Sequence, residues 1–563
     1  MMKKTVAAIA LSCAAMFALT ALTACGGGDD RESNSVEALV ENYGYQWEDT
    51  SAPILNEKGA QEISFRIYSS KNASAKDYND MDIMQTLYED TNVFVEWENV
   101  SESIYAEQKN LIFSNTNNRP DAIYHAGMSA SEIIRYASRK VLLPISDYLE
   151  YMPNFSRILE ERPDIRKQIT NVEDGKIYSL PRVEEMGLLQ NPNLLFLNKN
   201  WTLEAIEAGA VSGLTAEDVK DGIRLTAAQM ESLLTYFLNN DMNGNGQDDE
   251  RPMTFVYNNW QGNQCDLYGM FGLNDNTDHR VIVDGKVTYT VLDDRFKEAT
   301  QFINGWVEKG LIDEVSFEQT QDNFLANGKG TELYGAFYWW ESETVVSDPE
   351  NYVVCQPLVG PNGDQTICVS NNPEVGTGEL VVFAGTPNVE VLLTYFDRYY
   401  DPMISAQINY GPIGIVYEEE LDENGMLVQK ELPEDKTADE LRLENAPLGI
   451  CYLSDYAWEN VVHMEPRAQL RLERLEAYAT PYVPAGVQPV PNLQFTQEEL
   501  NTLTLYETNI VNYINQHLIT WLRNGLRDAD WEAFKTELLS TRVGLNEVQK
   551  VYQAAYDRYV AEN

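Results

Sequence analysis

The stretch Ile63-Ser64-Phe65-Arg66-Ile67-Tyr68, together with the chain from there to Asp121-Ala122-Ile123-Tyr124, decides the fold class. Ile63, Phe65 and Ile67 alternate with Ser64, Arg66 and Tyr68, the period of a strand with one face buried. Ile83, Met84, Leu87 and Tyr88 then recur at helical spacing, and Val93, Val95 and Trp97 alternate again. A second helical segment over 103–113 leads to the last strand of the series. Strand, helix, strand, helix, strand predicts a parallel sheet with right-handed crossovers, so this lobe is expected to be α/β.

Upstream, Lys3 and Lys4 precede an uncharged run that closes on Leu22-Thr23-Ala24-Cys25 and Gly26-Gly27-Gly28. A basic start, a short apolar core and small residues at a cut site make a secretory signal, although a run of about 20 apolar residues could also span a bilayer. The Cys at the cut site decides between them, because Leu-Thr-Ala-Cys resembles the bacterial lipobox. Residues 1–24 are therefore read as a lipoprotein signal, Cys25 as the lipidated new N-terminus, and 25–57, rich in Gly, Asp, Glu and Ser, as a flexible tether. No second apolar span occurs, so lipid is the only membrane contact expected, at the outer face of the bacterial cytoplasmic membrane.

The chain carries 88 acidic and 41 basic side chains, a formal charge of −47. Loss of Lys3 and Lys4 with the signal makes it more negative still. A body so acidic argues against nucleic acid, which needs a basic patch. Of the six cysteines, Cys265, Cys355, Cys368 and Cys451 lie outside the signal and lipobox, and no pair has zinc-finger spacing. A hairpin centred on Gly360-Pro361-Asn362-Gly363 would set Cys355 opposite Cys368, at a distance a disulfide can bridge.

Downstream, Thr226 with Gln229 forms a capping box at the start of a helix whose face is Met230, Leu233, Leu234, Phe237 and Leu238. That helix runs into Asp241-Met242-Asn243-Gly244-Asn245-Gly246-Gln247-Asp248-Asp249-Glu250. Calcium takes six to eight oxygen ligands, and an EF-hand-like loop supplies them from alternate positions with Gly at the sixth. Asp241, Asn243 and Asn245 stand at the first, third and fifth positions, Gly246 at the sixth, the Gln247 carbonyl at the seventh, and Asp249 and Glu250 close a shortened loop. The expected cofactor is a structural Ca2+. A second capping box, Thr496 with Glu499, opens three helices over about 497–523, 529–540 and 545–561.

Among enzyme signatures, no H-E-x-x-H, G-x-S-x-G, Walker loop or dinucleotide fingerprint occurs, and the four histidines are scattered. Aromatic side chains are plentiful, with 32 Tyr and 10 Trp, and two clusters mix rings with amides and acids. One is Tyr257-Asn258-Asn259-Trp260-Gln261; the other is Phe337-Tyr338-Trp339-Trp340 before Glu341-Ser342-Glu343. Flat rings stack on the apolar faces of sugars while amides and acids take the hydroxyls, so the mixture suits carbohydrate.

The order of features resembles the lipoprotein extracellular solute-binding proteins that serve bacterial ABC importers for sugars. The resemblance runs from the lipobox through Arg119-Pro120-Asp121-Ala122-Ile123-Tyr124, Glu161-Arg162-Pro163-Asp164-Ile165 and Gly175-Lys176-Ile177-Tyr178-Ser179-Leu180-Pro181. It continues in the 241–250 loop, Asn409-Tyr410-Gly411, and the stretch from Gly544-Leu545-Asn546-Glu547 to Ala555-Tyr556-Asp557-Arg558-Tyr559. It implies a two-lobe, periplasmic-binding-protein-like (type II) α/β fold with hinge strands and a C-terminal helical extension. The first lobe would hold 58–180 and 358–412, and the second 181–357 and 413–563. In alginate-binding members a loop of this pattern holds calcium, which carries over to Asp241, Asn243, Asn245, Gln247, Asp249 and Glu250. Maltose-binding-like relatives place stacking rings where Tyr338, Trp339 and Trp340 stand; Asp121, Tyr178, Arg182 and Trp260 complete the ligand candidates. The implied protein is a monomeric, lipid-anchored receptor, not an enzyme, that delivers an oligosaccharide to ABC importer permease subunits. Its rivals are a calcium-stabilised glycoside hydrolase or lyase, a peptide receptor and a surface adhesin.

Overall fold

The computed structural model describes residues 33–114, 119–187, 190–191, 193–433 and 436–561. The signal and Cys25 lie outside these residues. Strand β1 (Ser64–Lys71) pairs in parallel with β2 (Phe94–Ser101) and β3 (Ala122–Tyr124), and the helices Asp82–Thr91 and Glu102–Ser114 make the crossovers. Side-chain alternation sets the two faces of this sheet. Ala122 and Tyr124 face one core while Ile123, between them, faces another.

After β4 (Leu180–Glu184) the chain leaves for a second body. There it forms β5 (Leu194–Asn198), β6 (Arg251–Thr254), β7 (Arg280–Val283), β8 (Lys286–Tyr289), β9 (Tyr334–Trp339) and β10 (Tyr352–Cys355). It then returns with β11 (Val375–Val382), antiparallel to β3 and β4, and later with β12 (Cys451–Leu453), parallel to β4. A short β13 (Val487–Gln488) joins β7 and β8. The sheets run β12-β4-β11-β3-β1-β2, β10-β5-β9-β6 and β13-β7-β8. The first two are the centres of the two lobes.

Both predicted capping boxes are formed, opening the helices Ala227–Leu238 and Gln497–Asn524. The second of these helices buries Leu500, Leu503, Ile510, Ile514, Leu518, Trp521 and Leu522. Each large apolar side chain so buried contributes about 1.5 to 3 kcal/mol. With the helices Asp528–Leu538 and Leu545–Ala561 it closes the core of the second lobe.

Three expectations are corrected. Residues 33–57 are folded rather than a free tether: the helix Val36–Tyr43 is N-capped by Ser35, and Leu39, Tyr45, Ile54 and Leu55 sit in the first lobe's core. Polar composition hid four well-spaced apolar anchors. Next, β12 pairs with β4, so part of 413–563 belongs with the first sheet. Last, Cys355 and Cys368 are free and buried. The 360–363 turn is not a hairpin, because β10 pairs with β5. The returning segment is instead clasped to the turn of helix Cys265–Phe271, where Thr366 N–H donates to the Gly269 carbonyl and Cys368 N–H to Asp266.

Candidate functional site

Between the two principal sheets lies a cleft open to solvent. Its first wall starts on β4. Arg182 and Glu184 are two residues apart, so they leave the strand on the same face, and their side chains form an ion pair. Tyr410, at the end of the helix Pro402–Tyr410, donates its hydroxyl to Glu184 and packs edge-on against Trp458, 5.8 Å between centroids. The Arg442 guanidinium lies 4.4 Å over the Tyr410 ring. Burial raises the Tyr410 pKa despite the opposing fields of Arg442 and Arg182.

The second wall starts where β9 ends. Ala336 and Tyr338 point to the core shared with the C-terminal helices, and Phe337 and Trp339 point to the core on the other face. Trp340 is past the strand's last residue and turns into the cleft. Trp260 meets it edge to face at 5.2 Å and is 38% exposed. Behind Trp340 stands Glu341, 1% exposed, with Arg471 Nη1 at 2.6 Å and Arg467 Nη1 at 3.8 Å. Arg471 also lies 4.9 Å over the Trp340 ring. Burial raises the Glu341 pKa above its ordinary value, with the two arginines pulling the other way.

Of the candidates read from the sequence, Arg182, Trp260 and Trp340 line this cleft. Four others do not. Tyr338 and Trp339 are core residues, 3% and 1% exposed, because they are still on the strand. Asp121 is buried at the start of β3, where its carboxylate accepts the Arg66 N–H at 2.8 Å. Tyr178 is buried with its hydroxyl on Asp174 at 2.8 Å.

Glu341, from the acidic end of the aromatic cluster, also lines the cleft, whereas Glu184, Tyr410, Arg442, Trp458, Arg467 and Arg471 were missed. One signal was available: Arg467, Arg471 and Arg474 recur at i, i+4 and i+7 on the helix Pro466–Tyr478, a basic face in a very acidic chain. Tyr410 and Arg442 reach the cleft only through long-range packing.

The 241–250 loop turns its oxygens inward. Asp241 accepts the N–H groups of Asn245 at 3.1 Å and Gly246 at 2.8 Å. Glu250 accepts the Met242 N–H at 2.7 Å, and Asp249 takes the amide groups of Asn243 and Asn245. Gly246 has φ +77°, the left-handed conformation the turn needs. Among the described residues no group of three or more His, Cys, Asp or Glu could by itself hold a metal. The loop's donors are instead a mixture of carboxylate, amide and carbonyl oxygens, without nitrogen or sulfur ligands, which is the chemistry of a hard cation.

No family model matches the chain. It is 31% identical over 554 residues, 96% of both chains, to the fructooligosaccharide ABC transporter substrate-binding protein FusA of Streptococcus pneumoniae. The structure of FusA in complex with kestose superposes with a TM-score of 0.77 at 30% identity, covering 89% of this chain and 100% of that one. FusA was also solved as an EF-hand mutant with fructo-nystose, again with a TM-score of 0.77. An extracellular solute-binding protein from Bifidobacterium longum subsp. infantis shares the fold, with a TM-score of 0.75 at 20% identity over 89% of this chain and 99% of its own.

Proposed function

Because the chain belongs to the substrate-binding proteins of ABC transporters, we propose that it captures a neutral oligosaccharide outside the cell and hands it to a permease. Cys25, lipidated, moors it to the outer face of the cytoplasmic membrane. Proteins of this class bind and release a solute without altering it, which displaces the hydrolase and lyase readings. The observation that carries the proposal is the Trp260–Trp340 pair beside carboxylates already neutralised by arginine. Rings offer stacking surface and the polar rim offers hydroxyl partners, while Glu184 and Glu341 are each matched by a cation. That balance favours an uncharged guest. The likeness to a fructooligosaccharide receptor supports a fructose-containing ligand as the first to try.

Ligand capture works by differential affinity. A sugar that touches both walls only when they approach shifts the population toward the closed form. The moving bodies are the lobes proposed from sequence, 58–180 with 358–412 and 181–357 with 413–563, with three amendments: the first gains the folded 33–57 segment, it also gains β12 with the chain packed around it through Val416, Leu427, Leu441 and Val462, and Thr366 to Cys368 stay with the second. The loop of Asp241, Asn243, Asn245, Gln247, Asp249 and Glu250 would hold Ca2+, which adds stability by bridging the helix Ala227–Leu238 to β6. Isothermal titration against kestose, longer neutral oligosaccharides, uronate oligosaccharides and short peptides tests the reading. Saturable binding confined to the neutral sugars supports it; binding of peptides alone makes the protein a peptide receptor.

A further inference from the structure

Two opposite charges line the cleft from its two walls, Asp439 on the first and Arg467 on the second, and no hydrogen bond or ion pair joins them. Asp439 stands in the first turn of the helix Ala438–Asn445, which packs on the first lobe through Leu441 and the Arg442 contact to Asn409. Arg467 stands in the first turn of the helix Pro466–Tyr478, which is anchored to the second lobe by Arg471 on Glu341 and Arg474 on Asp221. Asp439 is exposed and its carboxylate has no hydrogen bond or ion pair among the described residues. Arg467 is held on one side only. Its Nε donates to Glu465 at 2.8 Å and its Nη1 is 3.8 Å from Glu341, with the side chain 38% exposed.

We propose that Asp439 and Arg467 are a closure latch: an ion pair formed across the cleft mouth as the lobes shut on ligand, and broken as they open. The inference rests on the oligosaccharide-receptor reading. The electrostatics of the structure support it. Burial alone lowers the Arg467 pKa; the Glu465 hydrogen bond and the fields of Glu341, Glu465 and Asp439 outweigh it, so the Asp439 charge already reaches the guanidinium. A charge pair that forms only in the closed state adds its attraction to the ligand's own contacts, and salt weakens it. It also has a specificity consequence. A ligand long enough to thread out between the two side chains would hold them apart, so the latch favours guests that fit wholly inside.

The test is a double-mutant cycle with kestose as the probe, by isothermal titration of the mature protein at low and high salt. Asp439→Asn and Arg467→Gln are each expected to weaken binding by roughly twofold to fivefold at low salt. The double variant should be no weaker than the worse single one. At high salt the differences should shrink. Additive losses in the double variant would assign both residues to direct sugar contact and overturn the latch, as would no loss at all. If the parent protein fails to bind kestose, it is the receptor reading that has failed. Small-angle scattering of the ligand-free proteins then decides the latch separately. Because a pair made in the closed form also raises the closed fraction of the ligand-free ensemble, a larger radius of gyration in Asp439→Asn than in the parent at low salt, vanishing at high salt, sustains it; equal radii in all variants at low salt overturn it.

Discussion

Replacing Arg471 by Met asks what allows a carboxylate to be buried in the cleft wall. Met keeps much of the arginine's apolar stem over Trp340 and removes only the guanidinium. Glu341 then stays 1% exposed with Arg467 Nη1, at 3.8 Å, as its remaining cation. Breaking a buried pair from one side costs about 3 to 5 kcal/mol. Two effects reduce that figure: Arg467 keeps part of the attraction, and Glu341 can take up a proton. The expected loss near neutral pH is about 2 to 3 kcal/mol. At about 2 to 4 °C per kcal/mol for a lobe of this size, the melting temperature falls by roughly 4 to 12 °C.

The pH dependence has a definite sign. Burial already raises the Glu341 pKa against the pull of both arginines, and removing one of them raises it further. A raised carboxylate pKa means the folded chain holds the proton more tightly than the unfolded chain. The penalty is therefore present above the folded pKa and fades as the pH falls toward the unfolded value. Thermal unfolding followed by circular dichroism should show the deficit of Arg471→Met shrinking from roughly pH 7 to roughly pH 5. Adding Glu341→Gln to the variant removes the orphaned charge and should recover much of the loss. An equal deficit at both pH values, or a double variant no more stable than the single one, would refute the reasoning.

Trp260→Ala should weaken oligosaccharide binding about tenfold or more, with little change in melting temperature, because the ring is 38% exposed. Calcium chelation should lower the melting temperature by roughly 5 °C or more, reversed by added Ca2+; Asp241→Ala should abolish the response. Leu39→Ala, at a position with no exposed surface, should cost about 2 to 5 kcal/mol in denaturant unfolding, whereas a true tether would register nothing. Denatured, unreduced protein should yield alkylated thiols at all four of Cys265, Cys355, Cys368 and Cys451 when mapped by mass spectrometry.

Local periodicity made most of the fold legible. Alternation at Ile63, Phe65 and Ile67 marked β1, and the Thr226 and Thr496 caps marked the starts of two helices. What periodicity cannot supply is which strand a segment joins. Cys451 to Leu453 is too short to show a period and forms an edge of the first sheet, and the turn at 360–363 suggested a hairpin that the competing β5 partner prevented. In the site, the aromatic run at 337–340 pointed to the right place, but only Trp340 lies beyond the end of the strand. A single residue of register separates a core ring from a cleft ring. The arginines of the second wall were visible as a helical face, whereas Tyr410 and Arg442 come from distant segments whose meeting depends on the packing of the whole lobe.

Titration of the mature, calcium-loaded protein with kestose, followed by mass spectrometry of the sugar recovered afterwards, tests the central claim most directly. One equivalent bound, with affinity lost in Trp260→Ala and the trisaccharide returned intact, is the predicted result. Failure to saturate with any neutral oligosaccharide, or recovery of cleaved sugar, would contradict it.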